Sequence, residues 1–272
     1  MEEEIGMNNT VLYEEFVILR ILGNELPPRD NKGSKLKVLR HILKHEPTDI
    51  CSKFWLINHI IDPAYKTKIL NVLTRYRQNF GELSFSPKNY CRLNSWEEKI
   101  RYAININNAR NEGIKHCQDR FRFVICLDQD CFFTRDHLSL VIEKINNDQR
   151  VNHGRKNYGI LMKRIIGENL ENADQLPNEE PHLVFRDDAR EYFDEKIVFG
   201  RNEKVELLSR LGYISSPEIY SIQGDKCLNV GYVLHLSYGN ETVERDLKTR
   251  MDRRELSVIK LINKIENIYN AQ

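Results

Sequence analysis

The apolar positions of this chain fall into short unbroken runs separated by longer stretches of helical periodicity. Phe16–Leu22, Lys53–Ile60, Phe121–Leu127 and Tyr158–Lys163 are mostly apolar runs bounded by charged or turn residues, the pattern of strands inside a sheet. Leu183-Val-Phe185 is a further short run, and Gly231-Tyr-Val-Leu-His-Leu236 reads as an apolar strand. Ala64–Tyr76 reads as a helix, and so does Glu203–Leu211, with Val205, Leu207, Leu208 and Leu211 as its stripe and Asn202 and Gly212 at its ends. Ser95-Trp-Glu-Glu98 has the form of a capping box, which predicts a helix running from there to His116. A long closing helix is predicted from about Thr242 to Tyr269.

Strands that alternate with helices imply βαβ units and a largely parallel sheet. Gly167–Pro181 breaks the alternation, being polar, Asn/Glu-rich and weakly periodic. It reads as a loop, either lying over a site or as a plain surface insertion. Trp55 in mid-strand and Trp96 in a first helical turn both read as core residues.

Composition narrows the class only a little. The 272 residues, 40% of them hydrophobic, are enough for one large α/β domain. With 41 basic and 40 acidic residues the net charge is +1, so no global field points to nucleic acid or to a membrane surface. Arg250-Met-Asp-Arg-Arg254 reads as a solvated helix face, or as a group that reaches a bound diphosphate if the closing helix folds over the site. No apolar stretch approaches the roughly 18 residues of a bilayer span, and Met1-Glu-Glu-Glu is no secretory leader, so a cytoplasmic protein is expected. The six cysteines show no Cys-x-x-Cys spacing and read as reduced thiols. Cys131, beside the acid pair described next, reads as a packing residue rather than a nucleophile paired with a histidine.

The strongest chemical signal is the end of the run Phe121–Leu127, where Asp128-Gln-Asp130 places two carboxylates one residue apart. The apolar residues before them put the pair at the C-terminal edge of a buried strand, where open α/β sheets keep their ligand sites. Two such acids can offer hard oxygen ligands to one divalent cation that also holds a diphosphate. Among 40 acidic residues the alternative is an acid pair that only starts a turn. Arg201 and Lys204 follow Gly200 at a predicted helix start, a place suited either to a phosphate or to plain surface charge.

The order Ala109-Arg-Asn-Glu-Gly113, apolar strand, Asp128-Gln-Asp130 resembles the nucleotide-sugar glycosyltransferases of the GT-A fold, in particular the family-2-like group. Upstream, Phe16–Glu25 is similar to the family's opening strand running into Asn24-Glu25, and Trp55–Asp62 to its second strand ending in an Asp. The likeness covers roughly residues 16–135. Two features depart from the family pattern: Arg20-Ile-Leu-Gly-Asn24 replaces an apolar, Pro-containing opening, and the acidic pair after the second strand is reduced to Asp62.

The resemblance implies a GT-A-like (Rossmann-like) α/β fold with a mixed, mostly parallel sheet flanked by helices and a long C-terminal helix. It implies one catalytic domain: a nucleotide-binding half over about 11–135, an acceptor-side half over about 136–240 and the helix 241–272. Asn24, Glu25 and Asp62 would lie near the base, Arg110 and Asn111 would face the nucleotide, and Asp128 would hold the ribose or the metal through water. Asp130 would bind Mn²⁺ or Mg²⁺ directly, with His235 at the end of its strand completing the shell. Asp187 and Asp188, after Leu183–Phe185, occupy the region of acceptor-side acids and are candidate general bases or else helix caps, with Glu179 and Glu180 behind them.

The expected activity is metal-dependent transfer of a sugar from a UDP- or GDP-sugar to a hydroxyl of a glycan or other acceptor, with inversion, in glycan or polysaccharide biosynthesis. The alternatives are a non-catalytic module of the same fold and a metal-dependent nucleotidyl or phosphoryl transferase. The second would need a glycine-rich phosphate loop, which Arg20–Glu25 with its single glycine does not supply.

Overall fold

The computed structural model describes residues 14–166, 175–199, 204–216, 219–222, 227–237 and 247–269. In chain order the first half contains β1 (Glu14–Leu22), α1 (Ser34–His45), β2 (Ser52–Asn58), α2 (Pro63–Arg75), β3 (Asn79–Leu83), α3 (Pro87–Tyr90), α4 (Trp96–Ile104), α5 (Ile106–Gln118) and β4 (Phe121–Leu127). The second half contains β5 (Cys131–Phe132), α6 (Arg135–Val151), β6 (Asn157–Ile166), β7 (Glu179–Arg186), α7 (Val205–Arg210), β8 (Tyr213–Ser216), β9 (Ile219–Ile222), β10 (Cys227–Ser237) and α8 (Leu247–Tyr269). Among the described residues eight strands form one mixed sheet in the order β3-β2-β1-β4-β7-β6-β10-β5, and β8 and β9 form a separate antiparallel pair.

β3, β2, β1 and β4 run parallel, as do β6 and β10, while β7 lies antiparallel between β4 and β6. The sheet is therefore mixed and mostly parallel, as expected. From β1 the chain steps outward to β2 and β3, then returns to place β4 on the other side of β1. The β1/β4 junction is a topological switch point, where open sheets leave a crevice at the strand ends.

The unbroken apolar runs arise because both faces are covered. Along β4, Phe121, Val124 and Cys126 pack on one side with Val17, Leu19, Ala109 and Ile114, while Phe123, Ile125 and Leu127 pack on the other with Leu138, Val141 and Ile145 of α6. α5 lies so close to β1 that a Cβ on Gly113 would stand 2.9 Å from both Leu19 methyl carbons. β5 follows β4 in the chain yet pairs with β10, and Phe132, Leu234 and Leu236 share one cluster with Leu22, Trp55 and Leu39 of α1. The far end of the sheet is thereby folded back over the edge at which β1 and β4 end.

Several expectations need correction. The helix predicted from Ser95 to His116 starts with its capping box but breaks at Asn105, which has φ 52°. The break is imposed from outside, since Asn105 Nδ2 donates to Asn58 Oδ1 at 2.8 Å and Asn58 Nδ2 donates to Ile104 O at 2.8 Å, docking the kink on the end of β2. Of the predicted loop Gly167–Pro181, residues 167–174 lie outside the described residues and Glu179–Pro181 already belongs to β7. Trp55 is fully buried as expected, but Trp96 is 45% exposed, pointing from the first turn of α4 into solvent. The start expected for the closing helix at Thr242 lies outside the described residues, and the helix is described from Leu247. Among the described residues no helix is long and apolar enough to cross a membrane.

Candidate functional site

The strand ends bring two charged groupings together at the switch point. In the first, Asp128 Oδ1 accepts from Arg110 Nη2 at 2.8 Å, while Asp128 Oδ2 lies 3.3 Å from Lys204 Nζ and 3.9 Å from His182 Nε2. Arg110 reaches the edge from α5, is anchored by Asn107 Oδ1 at 3.0 Å and lies 5.1 Å from the centre of the Phe193 ring. Lys204, just before α7, is buried and also stands 3.8 Å from Glu180 Oε2 at the start of β7. In the second grouping, Asp130 Oδ2 lies 3.1 Å from His235 Nε2. The β5–β10 pairing sets this contact, with His235 opposite Cys131 and Leu236 N donating to Asp130 O at 2.8 Å.

These surroundings keep both acids ionised. Burial alone would raise the Asp128 carboxyl, but Lys204 and Arg110 hold it well below the usual carboxylate range. Asp130 is likewise opposed by burial and brought down to about 2 by His235. Burial pushes the imidazole of His182 down to about 3, with Lys204 adding to the effect, so this ring is neutral at physiological pH. Cys131 Sγ lies 3.3 Å from His182 Nε2, yet burial and the neighbouring Asp130 push its thiol well above the ordinary value. The Cys–His contact therefore carries no thiolate, and Cys131 packs, with Met162 Sδ 3.7 Å away.

Residues 88–193, about two fifths of the chain, match glycosyl transferase family 2. That segment is family-2-like. No curated protein sequence matches the chain. Among solved structures, the mannosyltransferase PcManGT from Pyrobaculum calidifontis, in complex with GDP-Man and Mn²⁺, is similar at 8% identity and a TM-score of 0.45, over 95% of this chain and 76% of that one. GalNAc-T7 with UDP, GalNAc and Mn²⁺ is similar at 12% identity and a TM-score of 0.43, over 83% of this chain and 44% of that one. The 4-diphosphocytidyl-2C-methyl-D-erythritol synthase from Anaerococcus prevotii is similar at 13% identity and a TM-score of 0.39, over 93% and 96% of the two chains.

The family-2-like segment supplies Arg110, Asp128, Asp130, Glu180 and His182, whereas Lys204 and His235 come from the chain beyond it. The structure thus brings together Arg110, Asp128, Asp130, Lys204 and His235 from among the residues singled out in the sequence. It adds His182, which nothing local in the sequence marks, and of the acceptor-side acids it brings Glu180 beside Lys204. Asp128 turns its oxygens to cations and not to the point where Asp130 meets His235. Arg201 lies outside the described residues.

Other expected residues are held by contacts within the fold. Asn111 is buried with its amide spent on the segment after β7: Nδ2 donates to Phe193 O and Glu195 Oε1, and Oδ1 accepts from Phe193 N. Asn24 ties the β1 and β2 end loops, donating to His59 O and accepting from Ile61 N, both at 2.8 Å. Asp62 caps α2, accepting from Ala64 N and Tyr65 N, and stands 3.4 Å from Lys264. Glu25 lies in the same loop region, where its charge helps burial raise the Tyr65 hydroxyl.

Asp187 and Asp188 sit at the opposite edge of the sheet. β7 runs antiparallel to β4, so the chain leaves it beside Arg122, whose carbonyl accepts from Asp187 N at 2.8 Å, while Asp128 lies at the other end of β4. Asp188 is held there by Arg186 at 2.6 and 2.8 Å and by Lys156 at 3.2 Å. Neither is near the acid pair. Glu179 is taken by the Arg164 fork at 2.9 Å. The closing helix packs against the loop that carries Arg29, whose positive charge also helps lower Asp130: Ser257 Oγ accepts from Arg29 N at 3.0 Å, and the guanidinium groups of Arg29 and Arg254 lie 5.5 and 5.3 Å from the Phe199 ring.

Proposed function

We propose that this protein is a glycosyltransferase that takes a sugar from a UDP- or GDP-sugar and, with Mn²⁺ or Mg²⁺, transfers it with inversion to a hydroxyl of a glycan or other acceptor. The observation that carries the reading is the convergence of Asp130 and His235 beside Asp128, with two buried cations, Lys204 and Arg110, at the crevice of a family-2-like sheet.

The donor set suits a divalent cation that is shared with substrate. Asp130 and His235 bring a carboxylate oxygen and an imidazole nitrogen to one point, and no group of three or more Asp, Glu, His or Cys side chains converges among the described residues. A partial shell of this kind leaves positions for diphosphate oxygens and water. A bound cation would offset the negative charge that develops on the departing diphosphate. Lys204 and Arg110 add fixed positive charge at the same edge, and Asp128, held between them, is oriented to accept from a ribose hydroxyl or a metal-bound water.

Glu180 is the general base in this reading, in place of Asp187 and Asp188. It is half-buried at the start of β7, on the site side of the sheet, with Lys204 Nζ 3.8 Å from its Oε2. Single displacement needs one such base to take the acceptor proton as the sugar changes hands.

The test is release of nucleoside diphosphate from a panel of nucleotide sugars with hydroxyl acceptors. Metal-dependent release by the wild type is expected, with kcat reduced about 10²- to 10⁴-fold in Glu180→Gln while donor affinity stays within about twofold. Full turnover by Glu180→Gln removes the base assignment; no release from any donor under any condition removes the function.

A further inference from the structure

Arg20 interrupts the face of β1 formed by Phe16, Ile18 and Leu22, and it is fully buried. Its guanidinium donates from Nε and Nη2 to Cys131 O at 3.0 and 2.9 Å, and from Nη2 to Glu46 Oε1 at 2.5 Å. Glu46, just past the end of α1, also accepts the amide of Phe133 on Oε1 at 2.9 Å. Its other oxygen lies 3.2 Å from Lys53 Nζ, which donates in turn to Glu46 O at 3.1 Å. All three side chains are out of solvent.

The cluster grips the main chain on both sides of Phe132. That is where the site is least able to hold itself, because β5 is two residues long and pairs with β10 only at Phe132 and Cys131. So short a strand does not define its own register, and a slip of one residue would turn its side chains to the opposite face. Asp130 precedes the gripped Cys131 carbonyl and His235 lies opposite Cys131, so the same slip would part Asp130 from His235.

Stability does not require three buried charges here. Apolar residues of similar volume commonly match or exceed such a cluster, so its effect is to be sought in geometry. A forked donor and a carboxylate acceptor can hold a carbonyl and an amide that lie two residues apart while also pairing with each other.

We propose that Arg20 and Glu46, with Lys53 balancing Glu46, are positioning residues for the Asp130–His235 pair. This rests on the reading of that pair as the cation-holding part of the nucleotide site. The cluster touches neither substrate nor metal and acts through the backbone of β5.

The experiment compares the wild type with the triple variant Arg20→Met, Glu46→Leu, Lys53→Met, which leaves no orphan charge, and with Arg20→Lys, which keeps the charge and loses the fork. Thermal unfolding, amide hydrogen exchange of the segment 128–134, and calorimetric UDP and GDP binding with and without Mn²⁺ are read on each. The expected result is a folded variant whose exchange rises in 128–134 and whose Mn²⁺-dependent nucleotide affinity falls by about 10- to 100-fold, with metal-free affinity unchanged. If the triple variant does not fold, Arg20→Lys is expected to show the same two effects. A folded variant with wild-type metal-dependent affinity overturns the positioning role alone. A wild type with no metal-dependent nucleotide binding overturns the functional reading and the positioning role with it.

Discussion

Lys204 Nζ stands 3.3 Å from Asp128 Oδ2 although 76 positions separate the two residues in the chain. The first acid of the Asp-x-Asp is therefore balanced by a buried ammonium, with Arg110 on its other oxygen, and the second by an imidazole. The two acids are electrostatically distinct even though one residue apart. A charge-assisted contact of this type contributes about 1.5–3 kcal/mol, so Lys204→Met is expected to weaken nucleoside-diphosphate binding by about 10- to 100-fold, read by calorimetry. Unchanged affinity would place Lys204 outside the nucleotide site.

Gly113 lies on α5 against β1, and the Cβ of an alanine there would meet the Leu19 side chain at 2.9 Å. Leu19 is fully buried. Gly113→Ala should lower stability by about 1–3 kcal/mol despite alanine's better helix propensity, as measured by urea unfolding. A stabilised variant would show that the contact relaxes.

Asp188 gives a pH-dependent prediction remote from the site. Its carboxyl is held at about 2 by the Arg186 fork, with Lys156 adding to it. A depressed carboxyl stabilises the fold above the unfolded value, about 3.9, and the contribution is lost as pH falls through the folded value. Asp188→Asn should thus be less stable than the wild type at pH 7, the difference closing between about pH 4 and pH 2. Nucleotide-sugar turnover should not change. A loss of turnover at full stability would restore Asp188 to the chemistry.

Among the described cysteines Cys91 is exposed, Cys51 is partly buried and the remaining four are buried. Burial pushes the thiols of Cys51, Cys117 and Cys126 up to about 12, and that of Cys131 is raised too. A thiol reagent at pH 8 should therefore modify Cys91 rapidly and Cys131 only on unfolding, and Cys91→Ser should remove the fast phase. Rapid labelling of native Cys131 would mean that the site holds a reactive thiolate.

What could be read from the sequence follows from what is local. The buried strands, the capping box at Ser95 and the placement of Asp128 and Asp130 at a strand end depend on neighbours in the chain, and the structure has them. Strand direction is not local: Leu183–Phe185 reads the same either way, and only the antiparallel pairing with β4 sends Asp187 and Asp188 to the far edge. The break at Asn105 needs Asn58, 47 positions away, to be visible. Arg20 stands out in the sequence only as a departure from an apolar opening, because its partner Glu46 lies 26 positions on and the carbonyl it holds 111 positions on. His182 and Lys204 gain their meaning in the same way, from a charge brought to them by the sheet.

The most direct test of the site is calorimetric binding of UDP, GDP, CDP and TDP, with and without Mn²⁺, to the wild type and to Asp130→Asn. The expected result is that one nucleotide binds tightly only with the metal and that Asp130→Asn loses the metal-dependent part while remaining folded. Binding of that nucleotide to Asp130→Asn with wild-type affinity and metal dependence, or no binding of any nucleotide to the wild type, would contradict it.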